Sequence, residues 1–246
     1  MAVFRPGEFT LTDEAVKLCG FKKGAKLLDI GCGKGQTVEH LNNNGFDACG
    51  IDLSPDLIKA GKQRNPKLDI REGDGEFLDM FSSFTFDGVL MECTLSLINM
   101  QTEALHEAWC VLKKGGKLII TDLFTKDPKP EDVMNMIETA HAAMNKPKQE
   151  GDCESGLVQY PSEYCLDGAF VMDVLQTNLE DIGYKNVKWY DKSKALRDFI
   201  AQTIMDYGSL EKFFESEGEG EKACQFCKSM KQKNPGYFLL VAVKPE

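Results

Sequence analysis

In the stretch LLDIGCGKGQT, residues 27–37, Asp29 stands near the end of a short apolar run, and Gly31, Gly33 and Gly35 follow it at two-residue intervals. Three further carboxylates come at or just beyond the ends of later short runs: Asp52 after DACGI, Asp74 within GDGEF, and Glu92 after DGVLM. Glycines let a backbone turn approach a ligand closely because no Cβ stands in the way. Carboxylates accept hydrogen bonds from hydroxyl and amino groups and favour a cationic neighbour.

The spacing excludes two common phosphate sites. A nicotinamide fingerprint, G-x-G-x-x-G counted from Gly31 and Gly33, needs glycine at position 36, where the chain has Gln36. A nucleoside triphosphate loop needs Ser or Thr after Gly33-Lys34 and meets Gly35. A carboxylate two positions before the first glycine would repel a pyrophosphate but suits an ammonium group. S-adenosylmethionine carries such a group.

These residues need strands that end at them and helices that return the chain. A first helix is expected at 12–19, capped by Thr10 or Thr12 and stopped by Gly20. Strands follow at 26–30, 48–51, 68–70, 86–91 and 117–123, with helices at 36–41, 55–61 and 103–112 between them. A helix at 169–182, a strand at 186–190, a helix at 196–207 and a last strand at 237–243 complete the order. Strands alternating with helices imply an α/β, doubly wound, mostly parallel sheet. Residues 1–246 read as a single domain, with 126–163 and 192–235 as insertions. In an open α/β sheet ligands bind beyond the carboxyl ends of the strands, where both insertions leave, so both are expected to cover an acceptor pocket. The first insertion, with the residues before Thr12, is expected to form a mobile lid. Met134, Met136 and Met144 either line that pocket or pack the insertion on the sheet.

The order of these motifs resembles that of the class I S-adenosylmethionine-dependent methyltransferases, especially the small-molecule kind related to ubiquinone and menaquinone methyltransferases. The resemblance covers a cofactor-binding core of roughly residues 25–124, including LKKGGKLIITD, and extends more weakly through the last strand. It implies a Rossmann-like seven-stranded sheet with an antiparallel last strand, S-adenosyl-L-methionine as cofactor, and methyl transfer to a small-molecule acceptor. In its terms Asp29, Gly31, Cys32, Gly33 and Gly35 form the loop at the methionine and ribose end, with Cys32 a place that any small residue could fill. Asp52 would accept from the ribose hydroxyls, Leu53 would pack on the adenine, and Asp74 with Gly75 would meet the adenine amino group. Glu92 would close the methionine end. No catalytic residue is assigned, because displacement at a sulfonium needs mainly alignment and exclusion of water, with a base only where the acceptor loses a proton. Two other readings of the same fold are a non-catalytic adenosylmethionine-binding module and a thiol or metal protein of zinc or arsenic type.

Composition narrows the partners. A chain of 246 residues with 42% apolar content can bury a sizeable core. Its net charge of −10 argues against nucleic acid and anionic lipid as partners and favours a small molecule. MAVFRPGEF has no leader-like pattern and no run approaches the roughly 18 apolar residues of a membrane span, so a soluble cytoplasmic protein is expected. Nothing points to an oligomeric state. The nine cysteines suit reduced thiols. Five of them, Cys93, Cys153, Cys165, Cys224 and Cys227, fall where the topology would bring them to one sheet edge. There they could hold zinc, act as a redox pair through CQFC, meet a thiophilic acceptor as in arsenite methyltransferases, or serve no special role. No metal is assigned. His40, His106 and His141 show no metal-ligand spacing.

Overall fold

The computed structural model describes residues 5–144, 169–216 and 234–246. Seven strands form one sheet: β1 (Lys26–Ile30), β2 (Asp47–Asp52), β3 (Ile70–Glu72), β4 (Phe86–Glu92), β5 (Leu112–Thr125), β6 (Lys185–Asp191) and β7 (Pro235–Val243). Their order is β3-β2-β1-β4-β5-β7-β6, parallel from β3 through β5, with β7 antiparallel to both neighbours. The strand order reverses between β1 and β4, which opens a crevice beyond their carboxyl ends.

Helices α1 (Glu8–Cys19), α2 (Gln36–Asn43) and α3 (Pro55–Arg64) precede β4 in the chain, and α4 (Gln101–Val111), α5 (Pro130–Met144), α6 (Met172–Ile182), α7 (Ser193–Tyr207) and α8 (Leu210–Ser216) follow it. The period-two alternation of strands divides the core into two layers. Leu27, Leu90, Ile119 and Leu239 face Ala15, Val38 and Ile58 of the first three helices. Leu28, Met91, Leu118 and Leu240 face Leu105 of α4 and Leu175 and Leu179 of α6. Asp29 and Glu92, two residues beyond Leu27 and Leu90, therefore fall on the α1–α2 side. A smaller cluster joins Leu11 of α1, Leu123 of β5, Leu196 of α7 and Tyr237 of β7.

Local chemistry explains most boundaries. Gly20 closes α1 in the left-handed conformation. Pro55 opens α3 behind Ser54, whose hydroxyl accepts from the Leu57 N–H at 3.3 Å. The α1 cap is a correction: the helix starts at Glu8 after a left-handed Gly7, and the expected cap Thr12 is buried inside it. The third strand lies at Ile70–Glu72 rather than 68–70, since it pairs with β2 only from Gly50↔Ile70 to Asp52↔Glu72. The strand expected at 117–123 runs from Leu112 to Thr125, its lower part carried through the glycine turn by an irregular pairing with β4. Helix α5 occupies the front of the first expected insertion and docks through Met136, which is half-buried against the main core and whose sulfur accepts from the Val171 N–H at 3.4 Å. Met134 is exposed, and the side chain of Met144 lies outside the described residues. Among the described residues no helix is long and apolar enough to cross a membrane.

Candidate functional site

Beyond β1 the chain turns through Gly31, Gly33 and Gly35, all with positive φ, before α2 begins. The turn is tied to β2, because the Gly31 and Cys32 N–H groups both donate to the Ile51 carbonyl oxygen, at 2.8 and 2.9 Å. Cys32 is buried against β2 at Gly50, where an added Cβ would come 2.6 Å from the Cys32 Cβ. Burial pushes its thiol pKa up, so it stays a neutral packing group. Gly31 and Gly33 differ. A Cβ on Gly31 would lie 2.2 Å from Thr94 Oγ1, whereas a Cβ on Gly33 would meet open space.

Asp52, at the carboxyl end of β2, reaches over this turn. Its Oδ2 accepts from the Gly33 N–H and its Oδ1 from the Ser54 N–H, each at 2.8 Å. Each oxygen keeps acceptor capacity for a further donor. Leu53 beside it is half-buried. Farther along the edge, Asp74 Oδ1 accepts from the Glu76 N–H at 2.9 Å, and Glu76 Oε1 accepts from the Met100 N–H at 2.9 Å, which joins the β3 loop to the start of α4. A Cβ on Gly75 would lie 2.7 Å from Ile30 Cγ2, so this loop crosses the end of β1 at a distance that only glycine permits. The buried Oδ1 of Asn99, in the turn before α4, has no hydrogen-bond partner among the described residues.

Two buried carboxylates face α1 and α2. Glu92 accepts from Thr12 at 2.8 Å and from Thr37 at 3.2 Å, and pairs with Arg5 at 2.8 Å. Arg5 also donates to Thr12 Oγ1 at 2.7 Å and to Thr37 Oγ1 at 2.9 Å, so guanidinium, hydroxyls and carboxylate form one closed network. Asp29 is buried nearby. Burial and the like charge of Glu92 raise its pKa well above the ordinary value, against the opposing pull of Arg5. For Arg5, burial works against the charge, but Glu92 and Asp29 outweigh it and hold the cation firmly protonated. The sequence reading gave Arg5 and Thr37 no role and took Thr12 only as a helix cap. Thr37 directly follows the glycine turn and could have been suspected there, while nothing in the sequence links Arg5 to Glu92.

Cys93 follows Glu92 with φ 56, a left-handed conformation uncommon for a residue with a side chain. Its Sγ lies 2.8 Å from the Tyr237 hydroxyl, which lies 3.2 Å from Thr121 Oγ1. Burial, then Cys93, raise the Tyr237 pKa, so the phenol stays protonated. Cys93 thus lies just beyond the carboxyl end of β4. The other four thiols of the expected group, Cys153, Cys165, Cys224 and Cys227, lie outside the described residues, as does His141's side chain. The five described cysteines are free thiols. His106 is exposed on α4, as a surface residue would be, and its ring lies with Glu107 and Cys110, the candidate ligand atoms all within 4.8 Å of one another. A cleft of about 320 Å³, lined by Phe21, Asp87 and Lys117 among others, lies at the amino ends of the strands, away from the carboxylates above.

Comparison with known proteins places this geometry. Residues 28–120 match the family profile described as a methyltransferase domain. Over 107 residues, 44% of this chain and 45% of the relative, the sequence is 34% identical to a demethylmenaquinone methyltransferase of Renibacterium salmoninarum. Over 183 residues, 71% of this chain and 72% of the relative, it is 25% identical to a demethylmenaquinone methyltransferase of Tropheryma whipplei. The chain spans about half the length of the first relatives it matches. Phosphoethanolamine N-methyltransferase 2 of Haemonchus contortus, solved with S-adenosyl-L-methionine, shares the fold over 100% of this chain and 54% of its own, with a TM-score of 0.70 at 16% identity.

Proposed function

We propose that the chain, whose residues 28–120 match a methyltransferase domain, transfers a methyl group from S-adenosylmethionine to a small, carbon-rich acceptor in the cytoplasm. The observation that carries the reading is the convergence of Asp29, Asp52 and Glu92 on the glycine turn. The residues suit the cofactor end by end. Asp52 retains acceptor capacity for two vicinal hydroxyls, and Gly33 leaves open space beside it. A methionine end carries both an ammonium and a carboxylate, and the cluster of Asp29, Glu92 and Arg5 offers charges of both signs. Asp74 and the unpaired Asn99 oxygen provide acceptors for an amino group at the adenine end. When bound, the cofactor supplies a methyl group on a sulfonium whose leaving group is a neutral thioether.

The chain's own part is to hold, orient and exclude water. Asp52 and the glycine turn fix the ribose, and Glu92, braced by Thr12, Thr37 and Arg5, fixes the other end without moving. Cys93 and Tyr237 stand next along the edge, beside Leu11, Leu123 and Leu196, which gives the acceptor side an apolar wall with one thiol and one phenol. The relatives named demethylmenaquinone methyltransferases support an acceptor of this carbon-rich kind. Helix α5, at the front of the expected lid, would flank the acceptor side, and residues 145–163 of that lid lie outside the described residues.

Titration calorimetry tests the cofactor. Adenosylhomocysteine should bind, and Asp52→Ala should weaken it by about a hundredfold, the loss of two hydrogen bonds to a charged acceptor at about 1.5 kcal/mol each. Tighter binding of NAD than of adenosylhomocysteine would reject the reading. Binding without methyl transfer to any of a panel of phenolic, quinol, amine and thiol acceptors would leave a cofactor-binding module instead.

A further inference from the structure

Helix α4 carries a second group of ligating side chains, on the edge of the molecule that the carboxylate site does not use. His106 and Cys110 are four residues apart and share one helix face. His106 Nδ1 and Cys110 Sγ lie 3.7 Å apart, and a Glu107 carboxylate oxygen lies within 4.8 Å of both. A tetrahedral ion about 2.0–2.1 Å from nitrogen and about 2.3 Å from sulfur would hold those two atoms roughly 3.5 Å apart. The His106 nitrogen and the Cys110 sulfur need little movement to receive one, and the Glu107 oxygen would close in from within 4.8 Å.

The surroundings support the set. Glu107 Oε2 accepts from the Leu78 N–H at 2.8 Å, which pins the carboxylate as outer partners pin metal ligands elsewhere. Lys244, whose ammonium donates to the Trp109 and Leu112 carbonyl oxygens at 2.6 and 2.8 Å, ties the last turn of α4 to the end of the chain and so holds the helix that carries the set. His106 is exposed, so an ion can enter and keep water as its fourth ligand. We propose that His106, Glu107 and Cys110 form a site for a divalent transition metal of the zinc class, with one nitrogen, one oxygen and one sulfur from the protein. The Glu107–Leu78 bond would make that ion a clamp between α4 and the loop before β4. This site is independent of the methyl-transfer reading.

The test uses the full chain, stripped with chelator and titrated with Co²⁺, then with Zn²⁺ in competition. One equivalent of Co²⁺ should bind with a thiolate-to-cobalt charge-transfer band, and Zn²⁺ should displace it. Cys110→Ser should abolish the band, and His106→Ala, an exposed change that leaves packing intact, should weaken binding by at least the roughly tenfold that outer-partner changes cost. The Cys224→Ser/Cys227→Ser double variant, removing the C-x-x-C pair, should retain both. Absence of a band, its survival in Cys110→Ser, or unchanged affinity in His106→Ala would overturn the site. Circular dichroism on each variant separates loss of ligand from loss of fold.

Discussion

Charge pairing at single residues governs the stability of the candidate site. Glu92 is buried with Arg5 as its ion-pair partner, and Arg5 is itself largely covered. Removing one member of a buried pair leaves the other uncompensated, which costs about 3–5 kcal/mol. Arg5→Met should therefore lower unfolding free energy by that order in urea titrations, and Glu92→Gln in the same chain should recover part of the loss. Asp122 offers a second test. It accepts from the Ser96 N–H, the Ser96 hydroxyl and the Leu123 N–H, yet burial outweighs these bonds and lifts its pKa from 3.8 to about 6. An acid whose folded pKa is raised binds its proton more tightly in the folded state. Its penalty is absent below pH 3.8, grows as pH rises, and is complete above about pH 6. The shift corresponds to about 3 kcal/mol. Chemical denaturation of the wild type and of Asp122→Asn should diverge by this amount between those pH values; parallel curves would show that Asp122 does not titrate as described.

At the level of elements, the glycine turn separates folding from binding. Gly31 and Gly33 have the same residue type and the same sign of φ but different surroundings. A side chain at Gly31 strikes Thr94, so Gly31→Ala adds overpacking of about 1–3 kcal/mol to the roughly 1–2 kcal/mol of a left-handed alanine. Gly33→Ala bears only the second cost, because among the described residues nothing lies within 4 Å. Thermal unfolding should fall much further for Gly31→Ala, while calorimetry should show Gly33→Ala losing adenosylhomocysteine binding with its fold retained. Equal stability in the two variants would contradict the different packing. Helix α1 belongs to the same scale, since Leu11, Thr12 and the preceding Arg5 bind the N-terminal segment to the ends of β4, β5 and β7 through one short stretch.

For the whole molecule, the sheet order sets where everything else can act. Reversal between β1 and β4 gathers the glycine turn, Asp52 and Glu92, while α5 and α7 arise from the carboxyl ends of β5 and β6 beside them. Closure of helix α5 over bound ligand should appear as protection of that helix from limited proteolysis in saturating adenosylhomocysteine. Cutting at equal rates with and without it would count against a lid.

Local pattern was enough to read the order of strands and helices, the glycine turn and the carboxylates at strand ends, because period-two runs, Gly20 and Pro55 act within a few residues of themselves. The lengths of β3 and β5 were not legible, since pairing with neighbouring strands decides where a strand stops. Thr12 read as a helix cap from its type alone, yet its hydroxyl is spent on Glu92, eighty positions away. Arg5 left no trace in the motif, because its partners come from α1, α2 and β4 and meet only when the sheet is assembled. The same holds for Cys93 with Tyr237, and for Glu107, whose carboxylate is pinned by Leu78 across a loop. Residue type and spacing alone excluded a nicotinamide fingerprint and a triphosphate loop at the turn. Only the tertiary structure decided which distant charges compensate one another, because a Coulomb energy depends on separation in space and on burial, and neither is written along the chain.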